Sequence, residues 1–322
     1  MQNLQGMLRD QRVAQDLQEV IFSIELACKD IAKKVQLGAL AGVLGATESE
    51  NVQGETQKKL DVISNDILKA SLAANSNVLA LASEEEDNVV AANTGGCYVV
   101  AFDPLDGSSN IDINGQIGTI FTIFEALDGV AANSDKHFLQ QGNKQVCAGY
   151  VLYGASTLMV ITVDGPTSCF TLDPATQTFS LTNNALQVPA QTQEFAVNMA
   201  NERFWLPKFK GYVADLKLGE EGVRGKRFNM RWNASMVGDV HRVLMRGGIF
   251  MYPSDTRNPK QPAKLRLLYE ANPMALLIER AGGKAFNETQ RILDVTPSAL
   301  HERIAVILGS EQEVATCLEY LN

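Results

Sequence analysis

The chain has 322 residues, 45% of them hydrophobic and 20% charged, a composition ordinary for soluble globular proteins that excludes disorder and fibrous repeats. Its 28 Lys and Arg against 37 Asp and Glu leave a net charge of −9, which excludes a nucleic-acid backbone as main partner, because bulk phosphate binding needs a cationic surface. The length makes a single core uncomfortable, so two domains are expected. No apolar run is long enough to cross a bilayer, and the polar stretch Met1–Asp10 has no signal-peptide core, so no membrane partner and a cytoplasmic location are expected. Five scattered cysteines without C-x-x-C, and three scattered histidines, exclude a disulfide framework and a zinc ribbon. Any metal is therefore held by oxygen.

Val13, Leu17, Val20, Ile21, Ile24, Cys28, Ile31 and Val35 repeat at helical spacing and predict an amphipathic helix. The Gly-rich stretch Leu37–Gly54 reads as a loop, followed by a helix from about Glu55 to Ala74. Short apolar runs predict strands at Val78–Ala82, Cys97–Phe102 and Gln116–Phe124. After a polar loop at Asn133–Lys144, strands follow at Gly149–Tyr153, Leu158–Val163 and Cys169–Leu172, separated by turn signals. Thr182–Gln193 reads as structureless and marks the boundary between residues 1–185 and 186–322. Beyond it come helices at Asn201–Leu218 and Ser235–Arg246, and strands at Ile249–Tyr252 and Lys264–Tyr269. Asn272-Pro273 starts a helix that Gly282-Gly283 stops; Ala305–Leu308 is a strand, and Ser310 with Glu313 forms a capping box for a last helix. Helices and strands mix in both halves, which gives an α/β (α+β) layered architecture.

Chemistry concentrates at Phe102-Asp103-Pro104-Leu105-Asp106-Gly107-Ser108-Ser109-Asn110. A strand delivers two carboxylates three residues apart across a proline-fixed turn, with the Leu105 carbonyl as a third oxygen for a hard cation. Gly107–Asn110 supplies the backbone N–H groups and small polar side chains that cradle phosphate. The spacing fits neither an EF-hand loop nor a Walker A or dinucleotide fingerprint. Ser83-Glu84-Glu85-Glu86-Asp87 closes a buried strand, and Glu270 repeats the arrangement of an acid before a helix. Asp61 and Asp66 lie on a helix and, taken alone, read as surface acids; Lys264, Arg266, Arg231 and Arg242 are candidate phosphate partners, and His241 reads as structural.

These residues resemble the signature of the lithium-sensitive, magnesium-dependent phosphatase superfamily, and Phe102 through Asp112 is similar to class I fructose-1,6-bisphosphatases in particular. Lys58 through Asp66, Ser83-Glu84-Glu85, Gly247 through Pro253 and Lys264 through Met274 extend the likeness along the chain. The resemblance implies a layered sugar-phosphatase fold of two α/β domains with the active site between them, and Mg2+-dependent release of the 1-phosphate of fructose 1,6-bisphosphate, with Mn2+ as a substitute ion. It implies metal held by Glu84, Asp103, the Leu105 carbonyl, Asp106 and Glu270, with Asp61 near a further metal. Glu85 then acts as acid/base assisted by Asp66, and Asp106, Gly107, Ser108 and Ser109 meet the transferring phosphate. Asn198, Tyr252 and Lys264 hold the sugar and its distal phosphate, while Arg231 crosses a subunit boundary, which implies a homotetramer. The implied setting is carbohydrate metabolism, in gluconeogenesis or the Calvin cycle. Sedoheptulose-1,7-bisphosphatase or dual activity is the alternative within the class, and a non-catalytic phosphosugar- or cation-binding module the alternative outside it. Where such enzymes carry Tyr after the arginine this chain has Trp232, whose indole offers a donor N–H and no hydroxyl. Gln36–Gly45 and Cys97-Tyr98 depart from the nucleotide-binding pattern of animal members, so no AMP regulation is expected.

Overall fold

Runs that stay apolar on both faces become the central strands, and amphipathic stretches become the helices that cover them. The computed structural model describes residues 2–42, 44–50 and 56–322. The helices are α1 (Leu4–Asp10), α2 (Gln15–Leu37), α3 (Lys59–Ala73), α4 (Pro207–Leu218), α5 (Met236–Arg246), α6 (Asn272–Arg280) and α7 (Glu311–Leu321). The strands begin with the pair β1 (Ala46–Glu50) and β2 (Thr56–Lys58). A large sheet is built from β3 (Val78–Ser83), β4 (Val90–Ala91), β5 (Tyr98–Asp106), β6 (Ile117–Glu125), β7 (Cys147–Tyr153), β8 (Thr157–Thr162), β9 (Ser168–Asp173) and β10 (Thr178–Asn183). Its order is β10-β9-β8-β7-β6-β5-β3-β4, antiparallel except where β3 and β5 run parallel. The rest are β11 (Glu194–Ala196), β12 (Asn229–Met230), β13 (Ile249–Tyr252), β14 (Leu265–Arg266), β15 (Lys284–Phe286), β16 (Arg303–Ile304) and β17 (Val306–Gly309). Of these, β12-β11-β13-β17-β15 form a second sheet, and β14 pairs with β16.

Five layers result. Helices α2 and α3 cover one face of the large sheet, α5 and α6 lie between the two sheets, and α4 with α7 closes the far face of the small sheet. Three apolar clusters fill the space between layers: Ile21, Ile24 and Phe121 under α2 and α3, Val240, Leu277 and Tyr150 around α5 and α6 between the two sheets, and Phe209, Tyr212 and Ile249 beneath α4 and α7. Helix α5 approaches strand β6 closely because Gly118 has no side chain: a Cβ there would lie 2.3 Å from Val151 O and 3.0 Å from Val237.

Several expectations are corrected. Helix α1 forms in the stretch read as a polar N-terminus: Asn3 Oδ1 accepts from Gly6 N (2.8 Å) and Leu4, Met7 and Leu8 are buried, a helix too short to show periodicity. The expected loop at 37–54 contains a 3-10 turn, Gly38–Ala41, and strand β1, while 43 and 51–55 lie outside the described residues; α3 starts at Lys59, not Glu55. Strand β10 occupies the start of the segment read as structureless, and residues 201–204 form a 3-10 turn before α4. The run Lys264–Tyr269 is a strand only at Leu265–Arg266; Leu267–Ala271 is a π-helical turn continuous with α6, since a short buried apolar run is equally compatible with strand and helix. The Ser310–Glu313 capping box does not form. Ser310 Oγ accepts from Gly248 N (3.1 Å), and Glu313 is drawn to Tyr212 (2.7 Å) and Arg224 (2.9 Å).

His241, on α5, lies 2.8 Å from the hydroxyl of buried Tyr150 on β7. Burial lowers its pKa from 6.5 to about 4, so the imidazole is neutral in the fold. The unfolded chain protonates first as pH falls, so this stabilisation is intact above about 6.5 and is lost between 6.5 and 4, up to about 3 kcal/mol. Melting temperatures at pH 7 and pH 5 check this: His241→Gln is expected to lose less on acidification than the wild type, and an identical acid slope contradicts it.

Candidate active site

A regular strand points residues three apart to opposite faces. Asp103 and Asp106 nevertheless line one cavity, because the β5–β6 register shifts between them. Pro104 has no N–H for the ladder, its carbonyl accepts from Thr119 Oγ1 (2.9 Å), and Leu105 N donates to Asp103 Oδ1 (2.9 Å). The bulge absorbs the odd residue and turns both carboxylates the same way. The pair is thus carried by a bulged strand reaching Asp106, not by the expected turn after Phe102. Parallel pairing sets Ser83 beside Phe102, and Glu84 N donates to Phe102 O (3.1 Å), which brings Glu84 next to Asp103. Glu270 arrives from the π turn, a device common at functional sites, where its Oε2 accepts from Arg266 N (2.7 Å). Carboxylate oxygens of Asp103, Asp106 and Glu270 lie within 4.8 Å of one another.

The cavity holds about 390 Å3 and draws its walls from both halves of the chain. Asp61, Glu84, Glu85 and Leu105–Ser109 come from the first half; Asn198, Trp232, Ser235, Tyr252, Lys264, Arg266 and Glu270 come from the second. Gly107 adopts φ +84°, and a Cβ there would lie 2.6 Å from Ser235 Cβ, so only glycine lets this turn meet the start of α5. Val237 N, in the first turn of α5, donates to Asp106 Oδ2 (2.8 Å).

Burial dominates the electrostatics. It raises Asp61, Glu84, Asp106 and Glu270 to about 7 each, and Asp103 well above the usual carboxylate range. Arg266 opposes this for Glu84 and Glu270, its guanidinium standing 2.5 Å from Glu84 Oε1 and 3.8 Å from Glu270 Oε2. One buried guanidinium does not balance five buried carboxylates. Asp61 Oδ2 accepts from Lys58 N (2.9 Å), while its buried Oδ1 has no hydrogen-bond partner among the described residues. An all-oxygen, negatively overcharged set with an unsatisfied buried oxygen fits hard divalent cations.

Most residues singled out in the sequence meet here. Glu84, Glu85, Asp103, Leu105, Asp106, Gly107, Ser108, Ser109, Glu270, Asp61, Asn198, Tyr252 and Lys264 all line the cavity. Asp66 does not: its side chain is 69% exposed and faces Lys69 (4.0 Å). Arg231 does not either; its guanidinium is 48% exposed, 3.9 Å from Glu194, although Trp232 beside it lines the wall. Arg242 forks onto Glu194 (2.7 Å twice) and Arg266 onto Glu84, so neither faces the cavity as a lone phosphate cation. The Asn110 side chain turns out of the cradle. Trp232 stacks on Phe250 (6.1 Å, 5°) and tilts against Tyr252 (6.4 Å), an aromatic wall that single-residue reading missed at Phe250.

Residues 4–184 match the family described as "Fructose-1-6-bisphosphatase, N-terminal domain", and residues 188–322 match "Fructose-1-6-bisphosphatase, C-terminal domain". A protein of Saccharophagus degradans named "Fructose-1,6-bisphosphatase class 1" is 97% identical over 322 residues, covering 100% of both chains. One of the same name from Cellvibrio japonicus is 63% identical, covering 100% of this chain and 99% of its own. Crystal structures of Leishmania major fructose-1,6-bisphosphatase superpose with TM-scores of 0.93 (holo form, 38% identity) and 0.87 (T-state, 36%), each covering 99% of this chain and 98% of the other.

Carboxylates raised in the folded state stabilise the metal-free fold at low pH and cease to do so as pH rises through about 7. In EDTA, the melting temperature is therefore expected to fall between pH 6 and pH 8.5. Saturating Mg2+ at pH 8.5 should restore about 5 °C. Equal melting temperatures with and without the ion contradict a cation site here.

Proposed function

The chain belongs to the fructose-1,6-bisphosphatase family, and from that premise we propose that it hydrolyses the 1-phosphate of fructose 1,6-bisphosphate to give fructose 6-phosphate and inorganic phosphate. The observation that carries this is the juxtaposition, in one cavity, of the cluster Asp103, Asp106 and Glu270 with the Gly107–Ser109 turn. We take Mg2+ as the ion, held by Asp103, Asp106, Glu270, Glu84 and the Leu105 carbonyl, with Asp61 at a further position and Mn2+ able to replace it; the all-oxygen donors support this. When bound, such ions neutralise phosphate oxygens, acidify a water and stabilise the leaving alkoxide.

The chain's own groups do the rest. Backbone N–H groups and hydroxyls of the 107–109 turn donate to the phosphate being transferred. Glu85, at the exit of β3, receives the proton of the attacking water, and its amide donates to Ser83 Oγ (3.2 Å), which fixes the loop. The bond from phosphorus to the sugar oxygen breaks as the water oxygen bonds to phosphorus, with no phosphorylated side chain. Asn198, Tyr252 and Lys264 hold the sugar end, and the Trp232 N–H takes the place of a phenol hydroxyl. The exposure of Arg231 and of the apolar Met230 and Met245 supports a homotetramer in which Arg231 serves a partner. We place the enzyme in the cytoplasm and divide it at residues 185/186; no helix among the described residues is long and apolar enough to cross a membrane, and the large sheet ends at Asn183.

Phosphate release from fructose 1,6-bisphosphate and from sedoheptulose 1,7-bisphosphate, with and without Mg2+, tests the reading. Turnover of the first only with the ion is expected; metal binding without release contradicts it. Asp106→Asn keeps an acceptor for Val237 N and should lose at least about 100-fold in kcat, while Glu85→Gln should lose about 100-fold with little change in KM.

A further inference from the structure

The transferring-phosphate turn and the sugar-end wall belong to different halves of the chain, and one side chain ties them behind the cavity. Asn110 is buried and does not line the cavity. Its backbone is pinned within its own turn, N to Gly107 O (2.7 Å) and O from Gly115 N (2.9 Å). Its side-chain amide has two hydrogens, and both are used: Nδ2 donates to Gln116 O (3.0 Å) in the same loop and to Asn233 O (2.8 Å) in the opposite wall. Neither aspartate nor leucine can bridge two carbonyls in this way. Asn233 in turn is fixed to α5, its backbone N (2.9 Å) and Nδ2 (3.1 Å) both donating to Asp239 Oδ1. Residues on either side of Asn233 line the cavity: Trp232, stacked on Phe250, and Ala234, held at φ +59°.

We infer that Asn110 is a positioning residue that fixes the distance between the 107–109 phosphate turn and the wall carrying Trp232. This rests on the proposed bisphosphatase reading. A bisphosphate spans both sites, so its affinity depends on their spacing; a ligand with one phosphate meets one site at a time and tolerates a loosened spacing. The tie therefore favours two-phosphate ligands over one-phosphate ligands without touching either.

The experiment compares wild type and Asn110→Ala at saturating Mg2+: KM for fructose 1,6-bisphosphate, and inhibition constants for inorganic phosphate and fructose 6-phosphate. Absence of turnover in the wild type sinks the bisphosphatase reading by itself; the variant-to-wild-type ratios test the tie. KM for the bisphosphate should rise about tenfold, and both one-phosphate inhibitors should stay within about twofold. A purely structural role predicts a lower melting temperature with all three ratios near one, and that result overturns the inference. Equal weakening of all three ligands overturns it too. Should Asn110→Ala not fold, Asn233→Ala, which keeps the backbone carbonyl but loses the second donor to Asp239, should show the same selective pattern at about threefold; a folded variant without it is a refutation.

Discussion

Six carboxylates and two cationic side chains line one cavity, and five of those carboxylates are buried, two of them paired with Arg266. Burying charge of one sign is costly unless something compensates, and a lone guanidinium shared between Glu84 and Glu270 is not enough. The fold tolerates the arrangement by holding these groups toward their protonated forms, and positive ions relieve it. The same concentration of carboxylates lets an acidic protein bind a phosphorylated sugar, because bound cations turn a repulsive cavity into an attractive one.

Two local irregularities create the cluster. The bulge at Pro104 and Leu105 turns Asp103 and Asp106 to one side, and the π turn at Leu267–Ala271 brings Glu270 to meet them. One interrupts strand β5 and the other precedes helix α6, and both lie among buried residues. The large sheet, gripped by helices from both halves, supplies the rigid frame on which an error of an ångström would be costly.

Much of this was legible in the residues. The DPLDGSSN run, the acids after β3 and the acid before α6 announced a hard-cation and phosphate site, because few other arrangements place such residues at the ends of buried strands. Less visible was how they are aimed. The run Leu267–Tyr269 reads equally well as strand or helix, and Arg266, a candidate phosphate partner, proves to be the counter-ion of Glu84. Asn110 looks like part of a phosphate cradle until its amide is seen reaching Asn233, 123 residues away. Asp66 and Arg231 carry motif identity, yet within one chain their side chains face away from the cavity. Such outcomes depend on contacts distant in sequence, which periodicity and spacing do not encode.

The central claim is that acidic groups far apart in the chain share divalent cations beside the 107–109 turn. A crystal grown with Mn2+ and fructose 6-phosphate, with anomalous scattering recorded at the manganese edge, tests it directly. The account predicts anomalous peaks within coordination distance of Asp103, Asp106 and Glu270. Peaks confined to other sites, with these three carboxylates bare, would contradict it.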